Sequence, residues 1–99
     1  MARVWYIGDE ATATGYRLAG AETRVPAEGE TAEVYRRAVA DGAELILLSA
    51  ERTHEIDAAE LDAALVALRP LTTIVPGAFG HRAPPDVARE VRIALGIEP

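Results

Sequence analysis

The segment Glu-Leu-Ile-Leu-Leu-Ser at residues 44–49 decides the fold class of this chain. Its apolar residues are continuous instead of alternating, which is typical of a strand covered by helices on both faces of a parallel sheet. We therefore expect it at the centre of the sheet. A second run of this kind, Val-Trp-Tyr-Ile at residues 4–7, stops at Gly8-Asp9-Glu10. Two buried strands of this type predict an α/β protein.

The remaining elements alternate with these runs. Two further strands are predicted, a short peripheral one at 22–25 and another at 71–75. Helices are predicted at 12–19, at 31–40, from 57 towards Pro70, and from Pro85 towards Gly96, with 51–55 as a loop or single helical turn. This order predicts one domain over residues 1–99, an open four-stranded parallel sheet in a flavodoxin-like or receiver-like three-layer α/β/α arrangement.

The helix after the central strand has a readable start. Asp57 is predicted as its N-cap, with Glu60 as the capping-box partner and Ile56 against Leu61 as a hydrophobic staple. The buried stripe of this helix is predicted to be Leu61, Ala64, Leu65 and Leu68.

Composition excludes several function classes. Ten basic residues against 16 acidic ones give a net charge of −6, the wrong sign for a protein that neutralises phosphates over a broad surface. There is no cysteine, and all ten basic residues are arginine, so lysine-dependent chemistry is excluded. No apolar run approaches the roughly 18–20 residues that span a bilayer. We expect a cytoplasmic protein without nucleic-acid partner or direct membrane insertion.

Open α/β sheets bind ligands at the carboxyl ends of their strands, where Asp9, Glu10 and Ser49 are predicted to lie. The acidic pair is similar to the cation-binding pair of receiver domains, but Ser49 stands where their phosphorylated aspartate belongs. Ser49 and His54 lack the glycine pattern of a nucleophile elbow. With His81, His54 makes only weak evidence for a metal site. We expect no catalytic, cofactor or metal residues.

Residues 8–20, Gly-Asp-Glu-Ala-Thr-Ala-Thr-Gly-Tyr-Arg-Leu-Ala-Gly, resemble the N-terminal signature of the F-subunit family of the vacuolar and archaeal-type (V/A-type) rotary ATPases. The specific block runs from Tyr16 to Gly20. Similarity continues through residues 45–49, Glu51, the prolines around the fourth strand and residues 91–97. In physical terms Gly15 and Gly20 bracket a short helix, in which Tyr16 and Leu18 can be buried and Arg17 can reach acidic groups or a partner. The structural motif comprises Gly8, Asp9, Gly15, Leu18, Ala19 and Gly20.

The resemblance implies a non-catalytic central-stalk (rotor) protein that binds the coiled-coil D-subunit of the stalk and couples or regulates ATP turnover and ion pumping. Such a protein is peripheral to the membrane, as part of a membrane-bound complex. We expect docking through the first helix, the turn at 51–54 and the terminal helix. The candidate partner-binding residues are Tyr16, Arg17, Glu51, Arg52, Arg89 and Arg92.

A hypothesis of a different class remains open. The chain can instead be a stand-alone receiver-like or small-ligand-binding regulator, in which Asp9, Glu10 and Ser49 line a cation or nucleotide pocket. An enzyme proper ranks third.

Overall fold

The structure, a computed structural model, describes residues 3–76 and 92–93. Its elements are β1 (Val4–Ile7), α1 (Glu10–Leu18), β2 (Glu22–Arg24), α2 (Thr31–Ala40), β3 (Leu45–Ser49), a 3₁₀-helix (Ala50–Glu55), α3 (Ala58–Val66) and β4 (Leu71–Val75). The four strands form one parallel sheet in the order β2-β1-β3-β4. The predicted fold class is confirmed, with the segment at 44–49 in the interior of the sheet and β2 at its edge.

Helices cover both faces of the sheet, which explains the continuous apolar runs. On one face α1 packs through Ala13 and Tyr16 against Tyr6 of β1 and Leu47 of β3. On the other face, α2 and α3 cover a second cluster. Its buried members are Trp5, Ile7, Tyr35, Ala38, Ala43, Ile46, Leu48 and Ile56. Each interior strand therefore supplies side chains to both cores.

Helix α1 begins two residues before its predicted range of 12–19. Two residues, Gly15 and Leu18, differ from their predictions. The helix begins at Glu10, so Gly15 lies inside the helix as a buried residue and does not mark its start. Gly20 follows the helix with φ at +100°, and the N–H of Ala21 bonds the carbonyl of Tyr16. This is the Schellman ending that favours glycine. Leu18, predicted to be buried, is 55% exposed.

The third helix also differs from its prediction. Asp57 is the N-cap, and its carboxylate accepts from the N–H of Ala59. The predicted capping box was wrong, because both oxygens of Glu60 bond the guanidinium of Arg36 on α2 at 2.8 Å. The ion pair between α2 and α3 replaces the hydrogen bond that Glu60 was predicted to accept from the backbone N–H of Asp57. Helix α3 ends at Val66, which leaves Leu68 outside the predicted stripe and 87% exposed.

Other predictions on this part of the chain agree with the structure or lie beyond it. Helix α2 has its predicted bounds, and the turn at 51–55 belongs to the 3₁₀-helix. Ile56 belongs to the buried core cluster and the partly buried Leu61 packs against it, which is consistent with the predicted staple. The predicted helix from Pro85, with Arg89, and the loop that contains His81 fall outside the described residues.

A buried hydrogen bond joins α2 to the edge strand β4. The hydroxyls of Tyr35 and Thr72 lie 2.7 Å apart, and both residues are buried. We predict that Tyr35→Phe lowers the free energy of unfolding by about 1–2 kcal/mol, because it leaves the Thr72 hydroxyl buried without this partner. Denaturant unfolding measures the effect. The double variant Tyr35→Phe/Thr72→Val should recover part of the loss, and a strictly additive double variant would contradict the pairing.

Candidate functional site

The carboxyl ends of β1 and β3 form the topological switch point of the sheet, because the chain leaves β1 towards one edge and β3 towards the other. A shallow depression of about 400 Å³ opens there. It is lined by Asp9, Glu28, Glu51, Arg52, His54 and Glu55. Folds of this class bind ligands at this place. Whether a polar group here could contact a ligand depends on the hydrogen bonds that it already makes within the protein.

Asp9 holds the start of α1. Its carboxylate accepts from the backbone N–H of Thr12 at 2.9 Å and from the Tyr6 hydroxyl at 3.0 Å. Burial opposes the charge, but these hydrogen bonds outweigh it and lower the pKa of Asp9. Burial, with the neighbouring Asp9 carboxylate, raises the pKa of the Tyr6 phenol. Asp9 is thus an ionised helix cap, and Tyr6 is a neutral donor to it.

Glycine is required at position 8 because the Tyr6 hydroxyl passes beneath it. A Cβ added at Gly8 would press on that hydroxyl and would lie 2.6 Å from the Cβ of Ser49. Ser49 and the ring of Tyr6 are themselves buried, so neither has space to withdraw. The glycine therefore serves close packing at the end of β1.

Glu55 makes the densest set of contacts at this edge. One carboxylate oxygen accepts from the N–H of Gly29 at 2.9 Å, the N–H of Thr31 at 3.3 Å and the Thr31 hydroxyl at 2.7 Å. The other accepts from Arg52 at 3.2 Å. The hydrogen bond from the Thr31 hydroxyl, with those from the two N–H groups and Arg52, lowers the pKa of Glu55. Its side chain is 9% exposed, and it caps α2 from a distant part of the chain.

Ser49 and Glu10, two of the predicted ligand residues, interact with different parts of the chain. The Ser49 hydroxyl is buried and accepts from the N–H of Glu51 at 3.3 Å. Glu10 is exposed on α1 and lies 3.5 Å from Arg17, so it does not join Asp9 in a pocket. The ring of His54 is exposed, with its Nε2 at 4.0 Å from Glu55. The structure therefore does not assemble Asp9, Glu10 and Ser49 into one cation site.

The candidate partner-binding residues have different surroundings. Tyr16 is 4% exposed and stacks on Tyr6 with ring centroids 4.6 Å apart, so its ring has almost no surface to offer a partner. Arg17 is exposed and its Nε donates to Thr23 at 3.0 Å. Arg92 donates to the carbonyl of Leu18, at 3.4 Å.

The two candidates on the 3₁₀-helix also differ. Arg52 is mostly covered and paired with Glu55, whereas Glu51 is exposed. Arg89 lies outside the described residues. Arg17 and Glu51 are therefore the members of the predicted set whose side chains are exposed.

Sequence reasoning missed two features. The first is the capping role of Glu55, for which the signal was the start of α2 at Glu30-Thr31, where Glu30 makes no side-chain cap. The second is the outward surface of α3, whose sequence Ala-Ala-Glu-Leu-Asp-Ala-Ala-Leu-Val is apolar nearly all round. A helix of that composition is usually covered on more than one side.

No protein family, curated protein or solved structure matches this chain. The resemblance to the F-subunit family therefore stays a prediction. Within residues 3–76 and 92–93, no cluster of three or more His, Asp or Glu side chains is arranged to hold a metal ion. None of the helices described has the length and apolar character needed to cross a bilayer.

We predict that Gly8→Ala destabilises the fold by about 1–3 kcal/mol, because the added methyl group overpacks the space between Tyr6 and Ser49. Thermal unfolding measures the loss. Adding Tyr6→Phe removes the hydroxyl under the new methyl group and should return part of the stability. A Gly8→Ala protein as stable as wild type would contradict this packing.

We predict that Glu55→Gln lowers the melting temperature at pH 7 by on the order of 5 °C, because the charge-assisted bonds to α2 and Arg52 weaken. The folded-state pKa of Glu55 lies below its ordinary value of 4.5, so its contribution is present above that pH and is lost as pH falls through the folded pKa. The difference between wild type and variant should therefore shrink below about pH 4.5. Glu51→Gln is the matched control, an exposed carboxylate on the same 3₁₀-helix. A difference that is independent of pH would contradict the assignment.

Proposed function

We propose that this chain is a non-catalytic docking protein of the F-subunit type. In this proposal it is a central-stalk component of a vacuolar or archaeal-type rotary ATPase or ATP synthase. It binds the coiled-coil stalk subunit and couples or regulates ATP turnover. It lies on the cytoplasmic side, peripheral to the membrane.

The observation that carries the proposal is that three polar groups at the switch point form hydrogen bonds that hold the fold together. Asp9 caps α1, Glu55 caps α2 and Ser49 bonds the chain that follows its own strand. A catalytic acid, base or ligand group must be free to exchange partners with a substrate. These three groups hold the fold instead, which favours a role in binding a macromolecule over one in chemistry.

The residues of the resemblance support a docking role through packing. Tyr16 fixes α1 on the sheet by stacking on Tyr6, and Gly20 ends the helix in a left-handed conformation. Arg17 then extends from the outside of a firmly held helix, where its side chain is 52% exposed. Because α1 is already held rigidly, binding a partner through it would cost less conformational entropy.

The test is co-expression of this chain with the coiled-coil stalk subunit encoded by the same organism, followed by size exclusion with light scattering. We expect a stable one-to-one complex at micromolar concentration. The matched control is a coiled-coil protein of similar length and charge that is unrelated to rotary ATPases, which should elute separately. Separate elution of the two stalk proteins would contradict the proposal.

A further inference from the structure

We draw no further inference here: the strongest candidate, the exposed apolar surface patch around Val66 and Leu68 at the end of helix α3, carries none, because nothing in the structure shows what covers it.

Discussion

The carboxylate of Glu55 is the contact on which the described arrangement of the second core depends. It joins the turn before α2 to the 3₁₀-helix after β3, because Gly29 and Thr31 donate to it while Arg52 holds its other oxygen. Helix α2 has no cap of its own, since the Glu30 side chain makes no capping bond. A carboxylate near the first turn both satisfies unpaired N–H groups and interacts favourably with the helix dipole. The helix fixed in this way supplies Tyr35 and Ala38 to the core beneath α2 and α3.

The same contact limits the chemistry available at the switch point. A cation or phosphate that used Glu55 or Arg52 would have to break bonds that hold α2 in place. Asp9 is restricted in a similar way, because its two oxygens cap α1 and accept from Tyr6. Loss of the Asp9 carboxylate leaves the buried Tyr6 hydroxyl and the N–H of Thr12 without this acceptor, which costs about 1–3 kcal/mol per group. The edge of the sheet that holds ligands in related architectures is used here to hold the helices.

The sequence was sufficient for the parts of the fold that depend on local pattern. The continuous apolar run at 44–49 identified an interior strand, and Gly20 identified the end of α1, because each signal is contained in a few neighbouring residues. Glu60 shows the limit of this reasoning. Its spacing from Asp57 fits a capping box, but Arg36 on the preceding helix, α2, forms a bidentate ion pair that is stronger than a hydrogen bond from the local N–H. Glu55 could not be assigned for the same reason, since its partner Thr31 is 24 residues away.

Polar and apolar groups are divided between two surfaces of this small domain. Asp9 and Glu55 at the carboxyl edge bond the first turns of helices, while helix α3 exposes Val66. An apolar face on a helix is best covered by another helix, because ridges of side chains fit the grooves between them and no backbone hydrogen bond needs to be exchanged. A strand or a loop would bring unpaired N–H and C=O groups to the same surface. The backbone groups of α3 are paired within the helix, so the exposed surface around Val66 consists of side chains.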